Sequence, residues 1–160
     1  MAYFPINNNA IPQQIADTST TQILPIGTRI RAVDPVYGEG EFIYLKGLAS
    51  TAIGEVVIYD QYANTTIRAV AGSRGPAAVA MSANVANQFG FYQIKGAAVV
   101  KSNTAVANAR PYLTAVAGTI DDAVVAGDAI DGARYKTADG VPSAGFAVLQ
   151  IENPCLNGNG

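Results

Sequence analysis

The stretch Gly40-Glu41-Phe42-Ile43-Tyr44-Leu45-Lys46-Gly47 decides how the rest of the chain is read. In an extended chain, neighbouring side chains point to opposite faces. Phe42 and Tyr44 therefore share one face, and Ile43 and Leu45 share the other. Both faces are apolar, which is the pattern of a strand covered on two sides, at the centre of a β structure. Upstream, Thr28-Arg29-Ile30-Arg31-Ala32-Val33 alternates polar with apolar and stops at the turn pair Asp34-Pro35. Downstream come Glu55 to Tyr59, Thr65 to Val70, Ala77 to Met81 and the long run from Gln88 to Lys101. Tyr112 to Val116, Ala123 to Val125, Ala133 to Lys136 and Gly145 to Ile151 follow. Short β-prone runs separated by turn residues at this spacing predict an all-β sandwich or barrel.

Helix has little claim on the chain. Alanine is abundant and favours helix, but Gly and β-branched residues interrupt each Ala-rich stretch, and no 3.6-residue period persists. The alanines read as small packing residues between tight sheet layers. One short helix is expected at Ser82-Ala83-Asn84-Val85-Ala86-Asn87, opened by a Ser cap. The expected fold is thus mainly β: one compact sandwich or barrel over residues 28–152, with at most one short helix.

Residues 1–27 read as an extended arm, and residues 153–160 as a flexible tail. The arm carries Pro5, Pro12 and Pro25, which disfavour helix and interior strand. Its single charged side chain is Asp17, yet it holds Tyr3, Phe4, Ile6, Ile11, Ile15, Ile23, Leu24 and Ile26. A solvated linker has the opposite composition. Those eight residues are the candidate partner-binding set. Apolar burial alone does not offset the entropy of ordering such a segment. Backbone hydrogen bonds are needed as well, as when an extended segment joins a sheet edge. Folding over its own domain would supply the same bonds.

Composition excludes several functional classes. Charged residues make up 14% of the chain against a usual ~25%, so part of the surface is expected to be covered by partners. The formal charge is −2 and the basic residues are scattered, which predicts no nucleic-acid binding. No apolar run reaches membrane-spanning length, and the N-terminus lacks the pattern of a signal peptide. Cys155 is the lone cysteine and the chain has no histidine, so neither an internal disulfide nor a Cys–His nucleophile is available. Asp121, Asp122, Asp128, Asp131 and Asp139 lack the spacing of a calcium loop and read as turn residues. Gly38-Glu39-Gly40 and Gly72-Ser73-Arg74-Gly75-Pro76 read as turns, because neither sits between a strand and a helix N-terminus. The expectation is a protein without catalytic residues, cofactor or metal.

Three segments carry a resemblance. They are Ile23 to Asp34, Tyr37 to Gly47, and Ala80 to Gly96, the last including Gly90-Phe91-Tyr92-Gln93-Ile94-Lys95-Gly96. Together they resemble small virion structural proteins of tailed bacteriophages, over roughly residues 20 to 100. Size and the apolar arm extend the resemblance to head-decoration, or capsid cement, proteins. It implies a partner, the major capsid protein, and a place on the capsid exterior after synthesis in the host cytoplasm. It also implies a homo-oligomer, a trimer or else a dimer. The alternatives are a tail, fibre or receptor-binding virion component, and a small β-barrel enzyme or ligand-binding protein. Residues 101–160 carry no part of the resemblance.

Overall fold

The structure is a computed structural model that describes residues 4–5, 12–48 and 50–157. Its strands are β1 (Phe4–Pro5), β2 (Thr18–Ser19), β3 (Arg29–Asp34), β4 (Gly38–Gly47), β5 (Val56–Tyr59) and β6 (Thr65–Arg68). They continue as β7 (Gly75–Ala80), β8 (Phe89–Lys101), β9 (Tyr112–Leu113), β10 (Ile120–Asp121), β11 (Asp131–Tyr135) and β12 (Phe146–Leu156). No helix occurs among the described residues. The chain is all-β, as its patterning predicts.

One mixed sheet takes every strand except the small β9–β10 ladder. Part of that sheet closes on itself. β4 pairs with β6 in parallel, β6 with β5, β5 with β7, β7 with β8, and β8 returns to β4. Closure removes the free edges that this five-stranded ring would otherwise expose. Its interior holds Ile43 and Leu45 of β4, Val57 and Tyr59 of β5, Ala78 and Ala80 of β7, and Tyr92 and Ile94 of β8. The Tyr92 hydroxyl accepts hydrogen bonds from Asn84 Nδ2 at 2.7 Å and Thr66 Oγ1 at 3.2 Å. A buried phenol is thereby satisfied.

Two further apolar layers lie outside the ring. Phe42, Tyr44 and Phe91 face outward and pack with Ala32, Met81 and Ile15. β4 is therefore covered on both sides, by the alternation that Phe42 to Leu45 prescribes. The other layer joins Val56, Val79, Ala98, Val100, Leu113, Ile120, Leu149 and Ile151, with Ala69, Ala77, Ala105 and Ala147 set between them. The long strands make this possible. β8 pairs with β4 through Phe89 to Lys95 and with β12 through Lys95 to Lys101. Gly96 lies at the changeover with φ of +99°, and a Cβ there would run into the Glu39 carbonyl oxygen.

Four expectations are corrected. Ser82 to Asn87 forms bends and a turn, not a helix. Asn84 sends its side chain to the Tyr92 hydroxyl, and Asn87 adopts a φ of +66°. Such local side-chain bonding and positive φ are incompatible with a continuing helix. Ala123 to Val125 is a turn region rather than a strand: the Asp121 carboxylate accepts the Ala123 N–H, and the Asp128 N–H donates to the Val125 carbonyl.

The chain end is the third. Residues 153–156 belong to β12, where Cys155 pairs with Pro76, Leu156 pairs with Gly75, and Leu156 is buried. Residues 158–160 of the expected tail lie outside the described residues. The fourth is the start of the domain, since residues 13–28 are laid on the outer aromatic layer. Tyr44 Oη donates to Gln13 Oε1 at 3.0 Å, and Gln13 Nε2 donates to the Asp17 and Phe89 carbonyls. β2 pairs with Phe89 and Gly90, and the Gly27 N–H donates to the Tyr44 carbonyl at 2.7 Å.

Candidate interaction surface

The eight apolar residues of the N-terminal segment do not share one environment. Ile15 is 4% exposed and belongs to the aromatic layer of its own chain, so its side chain has no surface to offer. Leu24 and Ile26 are half-buried against the same layer. Phe4 and Ile23 are exposed, at 56% and 43%. Tyr3, Ile6 and Ile11 lie outside the described residues. Composition alone could not separate these cases, because all eight are large apolar groups in a nearly uncharged segment.

Phe4 is carried by β1, which pairs antiparallel with β3 as Phe4 with Val33 and Pro5 with Ala32. The other side of β3 pairs with β4 over its whole length. The solvent-facing side chains of that pair form a neutralised lattice, with Arg31 bonded to Glu39 and Arg29 3.4 Å from Glu41. Exposed pairs of this kind add little stability. Their effect at this edge is to cancel charge beside a two-residue strand that brings none.

Other exposed apolar groups sit on turns. Tyr62 is 98% exposed at the tip between β5 and β6. The Asp60 carboxylate accepts the N–H groups of Tyr62 and Ala63 at 2.7 and 2.9 Å and so fixes the tip. These two bonds hold the Asp60 carboxyl below its ordinary value of 3.8. Val36, Val106, Val116 and Val124 are likewise exposed on connections. Pro35, Val36, Tyr37, Ile53, Val99, Pro142 and Phe146 line an open apolar groove of about 480 Å³. The sequence signal for Tyr62 was present in Asp60-Gln61-Tyr62-Ala63-Asn64, a turn carrying an aromatic with no strand to bury it.

The acidic groups are engaged in holding the fold. Buried Glu55 lies 3.1 Å from Lys101 and 3.6 Å from Arg68, and accepts the Ala52 N–H. Buried Asp128 accepts the Gly72 N–H at 2.8 Å and faces Arg74 at 3.4 Å. Asp122 accepts from Thr104, and Asp131 from Arg110 and Asn157. Among the described residues no group of three or more His, Cys, Asp or Glu side chains is arranged to hold a metal ion. Burial pushes the Tyr135 hydroxyl above its ordinary value of 10.0, against the lowering effect of its bond to Ser102. Tyr135 is fully buried and bonded to Ser102 inside the second apolar layer. The described surface offers exposed apolar side chains and the outer edge of β3, paired with β1 at Val33 and Ala32.

No family model and no curated protein matches the sequence.

Proposed function

We propose that this chain is a structural protein of a virus particle, a head-decoration protein that binds the outside of a phage head and joins major capsid subunits. The observation that carries the reading is the contrast between a closed ring of strands, covered by residues 13–28, and the charge-free start of the chain before Gln13. That segment shows Phe4 at the surface beside a strand edge. Apolar turn tips such as Tyr62 and Val36 add isolated contacts of the kind that interfaces bury. Binding a shell presents many identical sites, so a multivalent binder gains avidity from individually weak contacts. The resemblance of Ile23 to Asp34, Tyr37 to Gly47 and Ala80 to Gly96 to phage virion proteins points the same way.

The test is co-sedimentation with phage heads that lack their own decoration. The full chain is expected to bind saturably, with a fixed number of copies per capsid subunit. A chain shortened by residues 1–11 keeps Gln13 and Ile15, so it is expected to fold yet bind at least tenfold more weakly. Binding to tails and not to heads would replace this reading with that of a tail or fibre component. Binding to neither would end it.

A further inference from the structure

We infer that the charged row Arg31, Glu41, Lys95 and Glu152 is a self-complementary docking surface for a second copy of the chain. The inference stands apart from the capsid reading, and its test contains no shell. Strand register builds the row. Arg31 pairs with Glu41 across β3 and β4, Glu41 with Lys95 across β4 and β8, and Lys95 with Glu152 across β8 and β12. Residues directly opposite on adjacent strands share a face, so the charge alternates plus, minus, plus, minus over four strands. At ~4.8 Å per strand step the row is roughly 14 Å long.

Three observations set this face apart. The whole chain has ten basic and twelve acidic side chains, yet the row and its neighbours Arg29 and Glu39 gather three of each on one patch. The side chains of Arg31, Lys95 and Glu152 stay 60%, 48% and 58% exposed after pairing within the chain, so they remain open to a partner. A cleft of about 510 Å³ opens among Arg31, Glu41, Lys95 and Gln150, and Gly40 and Gly96 line it without a side chain. That leaves room for the long side chains of an incoming surface.

The order of the charges selects the occupant. A twofold axis along the strands, between Glu41 and Lys95, sets the row of one copy against the reversed row of the other. Arg31 then meets the partner's Glu152, and Glu41 meets the partner's Lys95, so each of the four charges faces its opposite. The other axis in the plane, along the row, would set each charge against itself. A foreign surface would need the same alternation in reverse, which a second copy carries by construction. Complementary charge fixes register more than strength, so the dimer is weak and salt-sensitive.

Sedimentation velocity with charge reversal tests this directly. At about 0.5 mM protein and about 20 mM salt the parent chain is expected to dimerise, and about 500 mM salt should weaken the dimer roughly threefold or more. Lys95→Glu and Glu41→Lys each set like charges against one another across the axis, and each alone should weaken self-association about tenfold. Mixed together, the two variants should form a heterodimer as tight as the parent dimer, because every facing pair is opposite again. Lys136→Glu mixed with Asp139→Lys makes the same changes of net charge at exposed positions off the row, and should give no heterodimer. Circular dichroism checks that each variant folds. Glu41→Gln and Lys95→Gln add no like-charge contact and should weaken the dimer by a smaller factor. A parent chain that stays monomeric at this concentration would overturn the inference. So would single variants that associate like the parent, or a mixed pair no tighter than the off-row control.

Discussion

The closed ring and the chain between Asn103 and Ile130 are both packed, but by different means. The ring is built from strands whose side chains alternate between two apolar layers, with Leu45 and Tyr92 inside and Phe42 and Phe91 outside. The segment from Asn103 to Ile130 contributes Ala105, Leu113, Ile120 and Ile130 to the core, yet among the described residues its β pairing is limited to the two-residue ladder of β9 with β10 and isolated bridges at Ile120 and Ala129. Polar anchors replace the ladder. Asp128 holds Gly72, Thr104 holds Asp122, and the Gly118 N–H donates to the Ala69 carbonyl. Regular alternation stabilises a region cooperatively, whereas point anchors let a region open by itself.

The largest expected effect is in the ring. Leu45→Ala removes a side chain with no solvent exposure from its interior. It should cost about 2–5 kcal/mol and lower the denaturation midpoint of the whole domain in one transition. A separate early transition would break the claim that the ring is one unit. Asp128→Ala should cost about 1–3 kcal/mol, because it leaves the Gly72 N–H without its acceptor. Hydrogen exchange should accelerate in residues 103–130 and the loop at Gly72, while β4 and β8 stay protected. Equal acceleration in both regions would erase the contrast.

Tyr135→Phe should cost about 1 kcal/mol at neutral pH through the lost bond to Ser102. It also has a pH signature. The folded hydroxyl ionises above the ordinary 10.0, so as pH rises past that value the unfolded chain loses its proton first. Native stability should then fall on the alkaline side of 10.0 in the parent chain and fall less in the Phe variant. Melting curves across that range check the sign. The smallest effect is expected at Val124→Ser, where the side chain is 80% exposed on a turn. Stability should stay within ~0.5 kcal/mol.

The same contrast explains what could be read from the sequence. Phe42 to Leu45 announce a two-sided strand because alternation is local, and the closed ring follows from several such strands. Asn84 gives no local sign that it reaches Tyr92, eight residues on and across a turn. Its neighbours look like a capped helix until that destination is known. Asn153 and Pro154 look like the start of a tail, yet Leu156 completes the second core layer. In the N-terminal segment, Gln13 is a polar residue buried by virtue of its bonds to Tyr44 and Phe89. Nothing in composition separates buried Ile15 from exposed Phe4 and Ile23. Their difference is set by which faces β4 and β8 leave to be covered.

That difference is also where the functional account is most open to test. Hydrogen–deuterium exchange on the full chain, free and bound to undecorated phage heads, reads both ends of the segment at once. Peptides covering Gln13 to Ser19 are expected to be protected in both states, and peptides covering Phe4 to gain protection on the heads. An unprotected Gln13 to Ser19 in the free protein, or no change at Phe4 on heads that bind the chain, would contradict the account.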